Sequence, residues 1–204
     1  MNRTHLFFLI CYVVVLLWSA INPHDYLTWI LESFPGIIGA IVLIAIYRKF
    51  QFTDLVYVLI LIHCSILFIG GKYTYAENPL FNYFKDQFHL ERNNYDKLGH
   101  FIQGMVPSLI MREILIRLEV LSRKKWIPFF MIATAMLISS CYELLEWLVS
   151  ELTGSAGDAF LGTQGYIWDT QSDMLYALMG SLFAVLFLSR LHDTSLKRKL
   201  AGES

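Results

Sequence analysis

The sequence predicts an all-α membrane protein built as a bundle of six transmembrane helices. Of its 204 residues, 56% are apolar and only 16% are charged, whereas globular domains average about 45–50% and about 25%. The mean hydropathy is +0.50. The apolar residues also fall into long blocks, most of them close to the roughly 20 residues that one helix needs to cross a bilayer. A soluble core of this size could not hide such blocks, so we predict a polytopic membrane protein.

Each apolar block is predicted to be one helix, because the bilayer interior offers backbone amides no partner outside their own segment. We place the six spans at about residues 6–21, 27–47, 54–70, 98–118, 126–149 and 172–191. The second is the shortest apolar run, since it counts thirteen residues from Pro35 to Tyr47. Residues 25–29 before it would also suit an interfacial turn. We expect residues 1–204 to form a single transmembrane domain.

The basic residues predict an orientation, because lysine and arginine concentrate in cytoplasmic loops. Twelve of the 16 lie at helix ends on one side, and the other side has only Lys72, Lys85, Arg92 and Lys97. This alternation through six spans places both termini in the cytoplasm of a bacterial inner membrane. The net charge of −1 divides into about +7 on the inner half and −8 on the outer half. No basic footprint for nucleic acid is present, so the lipid bilayer is the predicted partner.

A short helix is predicted between the third and fourth spans. Asn78 followed by Pro79 is a helix start signal, with asparagine as the N-cap and proline in the first turn. Apolar side chains at Leu80, Phe81 and Phe84 follow on one side. This spacing is typical of a helix that lies in the headgroup plane, and we favour an aromatic anchor over a substrate gate.

Ionisable residues inside the membrane mark the candidate site, because they are costly there unless they face a cavity or a partner. Asp96 and His100 are one turn apart at the outer end of the fourth span, and Gln103 follows on the same face. In the fifth span, Glu143 and Glu146 lie three residues apart, and Glu143 is about 10 Å inside the helix end. Two such carboxylates repel each other unless they are protonated, paired or bound to a metal.

A third pair, Asp169 and Asp173, stands at the start of the sixth span. Alone, this pair is typical of an N-cap and a first-turn acid that complement the helix dipole. A single histidine is likewise more often a satisfied polar residue than a ligand. Because three consecutive helices bring such residues to one leaflet, we predict a shared polar pocket that faces the periplasm.

One histidine with several carboxylates suits a divalent metal such as zinc, manganese or magnesium. The candidate ligands are His100, Asp96, Glu143, Asp169 and Asp173. Without a metal, the carboxylates could supply a protonated acid and an ionised base, or a proton relay. We therefore assign Glu143, Glu146 and Asp96 as candidate catalytic carboxylates. The sequence contains no G-x-S-x-G, H-E-x-x-H or P-loop motif, so no motif determines a reaction.

Four segments resemble the signature blocks of the YjdF family of bacterial inner-membrane proteins. They are residues 70–77 (GGKYTYAE), 94–101 (NYDKLGHF), 142–147 (YELLEW), and 160–165 with 168–174 (FLGTQG and WDTQSDM). Within the last block, Tyr166 stands where the family pattern commonly has an aspartate, so no role of that carboxylate carries over to this chain. The resemblance covers nearly the whole chain and implies a polytopic inner-membrane protein with no assigned reaction. The order of the Asp-Lys-x-x-His segment, a buried glutamate and an aspartate-bearing last helix is also similar to VanZ-like proteins, which suggests a cell-envelope context.

The resemblance adds two residues to the candidate site. Gln164 and Gln171 belong to the YjdF-like blocks and join Gln103 as candidate substrate-binding residues. Glycines at Gly99, Gly104 and Gly180 are expected to let the fourth, fifth and sixth helices approach closely.

Three functions remain open from the sequence. The leading hypothesis is a pocket, with a divalent metal as candidate cofactor, that acts on a cell-envelope lipid or lipid-linked substrate. The second is a small proton-coupled transporter, which requires a polar path past Glu143, although residues 129–138 are almost wholly apolar. The third is a non-enzymatic assembly or structural factor whose buried acids pair within the bundle.

Overall fold

The protein is all-helical in the computed structural model, which describes residues 2–153 and 164–202; these residues contain no strand. The all-α prediction is confirmed. The helices are α1 (Arg3–Ala20), α2 (Tyr26–Ile46), α3 (Asp54–Tyr73), α4 (Pro79–Gln87), α5 (Tyr95–Arg117), α6 (Ile127–Thr153), α7 (Asp169–Phe183) and α8 (Ser189–Ala201). A 3₁₀ turn, Lys124–Trp126, precedes α6, and a π-helical turn, Ala184–Leu188, joins α7 to α8.

Five helical segments of the described chain are long and apolar enough to cross a membrane. They are α1, α2, α3, α6 with its preceding turn, and the continuous segment from α7 through α8. Helix α5 is 23 residues long, but charged residues such as Lys97 and Glu113 lower its hydropathy. Its polar residues face protein rather than lipid, because 15 of its 23 residues are buried and it packs on α3, α6 and α7.

Side-chain caps fix where the first helices begin. Asp25 accepts a hydrogen bond from the backbone N–H of Thr28, which starts α2 and lowers the pKa of the Asp25 carboxyl. Residues 26–29 are therefore helical rather than an interfacial turn, and Pro35 lies inside the helix. Asn78 caps α4 by accepting from the N–H groups of the second and third helical residues.

Helix α4 lies where the Asn78-Pro79 signal predicts a short helix. The Phe81 ring packs edge-on against Tyr95, with the ring centroids 5.2 Å apart, and this contact anchors α4 to the start of α5. Leu80, Tyr83 and Phe88 remain exposed. The position of α4 at the membrane surface stays a prediction.

Helices α5 and α7 cross with their backbones in direct contact. A Cβ atom added to Gly104 would overlap the carbonyl of Ala177 and lie 2.7 Å from its Cα. On the other helix, a Cβ at Gly180 would lie 2.8 Å from the carbonyl carbon of Phe101. The expected close approach thus occurs at Gly104 and Gly180, between the fourth and sixth predicted spans, and it places the first turns of α5 and α7 side by side. Gly99 does not take part in it, because a Cβ there would lie 3.0 Å from the Tyr75 ring instead.

A second polar network lies at the opposite end of α5. Glu113, which is fully buried, accepts hydrogen bonds from the N–H and hydroxyl of Thr53 and from Arg117. Arg112 lies 3.0 Å from Nδ1 of His192, whose Nε2 is 3.0 Å from Glu113. Arginine only donates hydrogen bonds, so Nδ1 of His192 accepts one from Arg112, and Nε2 of His192 donates one to Glu113. The polar atoms of this network that the structure describes therefore satisfy one another.

Candidate functional site

The predicted polar residues of three helices meet at one end of the bundle. The amino-terminal turns of α5 and α7 lie beside the last turns of α6, because α6 runs antiparallel to both. Six buried residues share this region, which we call the acidic cluster: Asp96, His100, Glu143, Glu146, Asp169 and Asp173.

His100 lies at the centre of the acidic cluster with its two ring nitrogens in different surroundings. Nδ1 is 3.0 Å from the side-chain oxygen of Gln103. Nε2 is 3.3 Å from Oδ1 of Asp96 and 3.8 Å from Oδ1 of Asp173. An amide oxygen only accepts, so Nδ1 carries a proton. In the neutral ring, the lone pair on Nε2 then faces the two carboxylates.

This arrangement has the dimensions of a metal site. One ligand atom from each of Asp96, His100 and Asp173 can be chosen so that all lie within 4.8 Å of one another. Ligands on opposite sides of one ion, at about 2.1–2.4 Å each, are about 4.2–4.8 Å apart. A histidine that ligates through one nitrogen usually donates its other N–H to an oxygen, as His100 does to Gln103.

Lys97 is a member of the site that the sequence analysis missed, since it counted this residue only as a basic residue of the outer side. Its Nζ donates to Oδ1 of Asp169 at 2.7 Å and to Oδ1 of Asp173 at 2.6 Å, and lies 3.5 Å from Asp96. Arg92 also donates to Oδ1 of Asp169, at 2.7 Å. The sequence signal for Lys97 was its position one turn before His100 on the same helix.

Glu143 and Glu146 approach the cluster from α6. Oε1 of Glu143 is buried, has no hydrogen-bond partner among the described residues, and lies 3.8 Å from Nδ1 of His100. Glu146 lines a small cavity of about 20 Å³ together with Asp96 and His100. Such a cavity holds about one water molecule.

Glu32 of α2 is a second residue that the sequence analysis did not assign to the site. It lines the same cavity and accepts a hydrogen bond from the Tyr142 hydroxyl at 2.7 Å. Tyr75 also lines the cavity. The available sequence signal was that Glu32 is the only charged residue in the apolar helix α2. Residue spacing could not show that Glu32 contacts Tyr142, because the two residues lie on different helices.

The three glutamines predicted to bind substrate occupy different places. Gln103 orients His100. Gln164 accepts from the backbone N–H of Asn93 at 3.0 Å and donates to the carbonyl of Asn93 at 2.9 Å, so it ties two loops together. Gln171 is exposed and does not line the cavity. Residues 160–163 of the fourth sequence block lie outside the described residues.

The cluster carries more negative than positive groups. Among residues 2–153 and 164–202, its five carboxylates and that of Glu32 face only two permanent cations, Lys97 and Arg92. Asp169 takes hydrogen bonds from both cations, whereas Glu143 and Glu146 have no ion pair with lysine or arginine within the described chain. Buried like charges at this density require protons or a cation. The arrangement can therefore bind a divalent ion or retain protons.

Comparisons with known proteins agree with this description of a helical membrane protein. Residues 4–194 match the model of a family described as "Predicted membrane protein (DUF2238)". Over 185 residues, the chain is 46% identical to inner membrane protein YjdF of Escherichia coli (strain K12). The aligned region covers 91% of this chain and 88% of the relative. No solved structure matches it significantly.

Proposed function

This chain belongs to the DUF2238 family of membrane proteins, and on that premise we propose that its acidic cluster binds a divalent metal ion and acts on a cell-envelope lipid or lipid-linked substrate. The protein is a multi-pass protein of the inner membrane. The placement of His100 Nε2 between Asp96 and Asp173, with Nδ1 held by Gln103, is the observation that carries the proposal.

The proposal gives the residues separate roles. Asp96, His100 and Asp173 bind the ion, and the buried Oε1 of Glu143, which has no hydrogen-bond partner among the described residues, is a further candidate ligand on the Nδ1 side of His100. Asp169 serves to hold Lys97 and Arg92 in place rather than to ligate. A bound metal would neutralise part of the negative charge and could activate water.

Glu146 lies one turn after Glu143 on the same face of α6 and lines the small cavity. In this proposal, the Glu146 side chain holds a proton there. The cavity of about 20 Å³ accepts an ion or one water and no lipid headgroup. A substrate therefore meets the metal at the rim of the cluster. The inner-membrane location supports an envelope lipid or lipid-linked molecule as that substrate.

The proposal requires the acidic cluster to face the periplasm. We take α5, which is buried among α3, α6 and α7, as a membrane span in addition to the five segments above. Six spans give an even number of crossings, with both termini in the cytoplasm. The distribution of lysine and arginine supports this topology. Reporter fusions test it: alkaline phosphatase should be active when inserted near residue 90 and inactive at the carboxyl terminus. The reverse pattern would overturn the periplasmic assignment.

Metal binding is tested on purified protein by elemental analysis and by titration with Zn²⁺, Mn²⁺ and Mg²⁺ after chelation. We expect about one equivalent in the wild type. His100→Gln should weaken binding at least 10- to 100-fold, the loss typical for outer-shell residues alone, and Glu143→Gln should weaken it less. His89→Gln is the matched control, since His89 lies in a loop outside the cavity. No bound metal, or equal binding in His100→Gln, would refute the metal site.

The substrate is tested in cells that lack the gene. Extracted envelope lipids should contain one class that accumulates, and the wild type and His89→Gln should restore its level. His100→Gln and Glu143→Gln should not restore it, although both accumulate in the membrane. An unchanged lipid profile would remove the substrate part of the proposal.

A structural role is the competing function, and the ion pairs of Lys97 with Asp169 and Asp173 favour it. In that case His100→Gln would lower thermal stability, and added metal would not change the stability of the wild type.

A transporter is less well supported. Between the acidic cluster and Glu113, α5 contributes apolar core residues such as Val106 and Leu109, so a polar path is interrupted there.

A further inference from the structure

Helices α1 and α2 both pack on α3 but touch each other only through a few side chains. Nearer the acidic cluster, the Tyr12 hydroxyl donates to the carbonyl of Gly36 at 3.0 Å. At the other end, Nδ1 of His5 lies 2.8 Å from the Tyr47 hydroxyl. Between these two bridges the helices separate and leave a gap.

The gap is an apolar slot of about 310 Å³ between α1, α2 and α3. Ala40, Leu43 and Ile44 line it from α2, and Ile44 is also largely exposed, which opens the slot towards the lipid. From His5 to Tyr12 it extends for about 10 Å along α1. The volume lies at the small end of the usual range of about 300–1,000 Å³ for ligand sites. A helix, about 10–12 Å wide with its side chains, does not fit such a slot, but an extended hydrocarbon chain does.

Arg48 supplies a cation at the mouth of this slot. It lines the slot beside Tyr47, and its guanidinium makes no ion pair or hydrogen bond to any residue that the structure describes. Arg92, Arg112 and Arg117, by contrast, each pair with a carboxylate. A guanidinium binds a phosphate with two parallel hydrogen bonds. An unpaired arginine at the end of an apolar slot thus matches a molecule with a long apolar tail and an anionic phosphate.

We infer that this slot is a lipid-binding site, in which an acyl chain of an anionic phospholipid lies between α1 and α2 and its phosphate pairs with Arg48. Basic pockets between transmembrane helices are known to select anionic headgroups. The site lies at the opposite end of the bundle from the acidic cluster, so it stands or falls independently of the metal proposal.

The test uses protein reconstituted in nanodiscs of equal parts phosphatidylglycerol and phosphatidylethanolamine, followed by gentle extraction and native mass spectrometry. We expect the retained lipid to be enriched in phosphatidylglycerol. Arg48→Gln should reduce this enrichment about fivefold, from the loss of one basic residue near the surface. Lys49→Gln is the matched control, because Lys49 is adjacent to Arg48, is exposed like Arg48 and carries the same charge, but does not line the slot.

A second pair of variants tests the slot itself. Ala40→Phe should fill it and abolish lipid retention, whereas Val42→Phe, at an exposed position of α2 outside the slot, should retain lipid. Melting temperatures establish that each variant is folded, and the Arg48/Lys49 pair stays informative if Ala40→Phe does not fold. Equal enrichment in Arg48→Gln and Lys49→Gln would refute the inference. A dimer that Ala40→Phe alone dissociates would also refute it, because a second copy would then occupy the slot.

Discussion

The contact between α5 and α7 gives the sharpest prediction about stability. Gly104→Ala adds one methyl group at a position where a Cβ would lie 2.6 Å from the carbonyl carbon of Ala177, whereas ordinary contact begins at 3.4 Å. The obstacle is backbone, and the carbonyl oxygen of Ala177 lies closer still, so no side-chain rotation relieves it and the two helices must separate. The same helices carry Asp96 and His100 on one side and Asp173 on the other, so the acidic cluster must widen with them.

The size of the effect follows from two opposing contributions. Overpacking a closely packed contact costs about 1–3 kcal/mol, and a rigid backbone neighbour places Gly104→Ala near the upper end. Replacing glycine by alanine within a helix gains about 0.5–1 kcal/mol. The net loss in the free energy of unfolding should be about 2 kcal/mol. For a chain of this length, that corresponds to a melting temperature lower by about 4–8 °C.

The assay is thermal unfolding in detergent, with loss of the monodisperse chromatographic peak as the readout. Gly39→Ala is the matched control, because it makes the same change within α2 where a Cβ meets nothing within 4 Å. It should be neutral or more stable by up to about 1 kcal/mol. A melting temperature of Gly104→Ala equal to or above that of Gly39→Ala would show that the helices do not cross as described.

Three further substitutions test individual charges by the same unfolding assay. Lys97→Met should lower the free energy of unfolding by about 3–5 kcal/mol, because it leaves buried carboxylates without their cation. The control Lys85→Met on α4 should change it little, and equal effects of the two substitutions would refute the buried pairing. Asp25→Ala should cost about 1 kcal/mol at pH 7 through loss of the cap. The folded-state pKa of Asp25 is lowered, so the part of this difference that depends on the carboxylate charge should begin to decrease below the ordinary value of 3.8 and be lost below the folded-state pKa. A pH-independent difference would contradict the cap. Glu113→Gln should cost about 3–5 kcal/mol while exposed Glu119→Gln costs little, and a tolerated Glu113→Gln would contradict the buried network.

The helices were largely accessible from the sequence because their signals are local. Apolar blocks of about 20 residues and the cap at Asn78 depend only on neighbours along the chain. The least apolar predicted span, residues 98–118, corresponds to α5. It is the one predicted span that length and hydropathy do not identify as a membrane helix. Its polar residues are buried against other helices, and a hydropathy average cannot distinguish a protein neighbour from water.

The candidate site was accessible only in part. Spacing within one helix placed Asp96 with His100, and Asp169 with Asp173, on common faces, and each pair lies in the acidic cluster. Spacing could not show that Lys97 bridges the two aspartates of α7, or that Glu32 of α2 reaches Tyr142 of α6. Gln164 illustrates the same limit, since its motif suggested a binding role and its contacts are with the backbone of Asn93.

The sequence by itself thus determined a helical membrane protein, the face of each helix that carries polar groups, and the excess of acid at one end. Tertiary structure decided which of those groups are neutralised and which are not. Helix periodicity fixes direction around one axis, but the distance between side chains on different helices depends on how closely the helices cross. Here that distance is set by the backbone contact of Gly104 with Ala177, more than 70 residues apart in the chain.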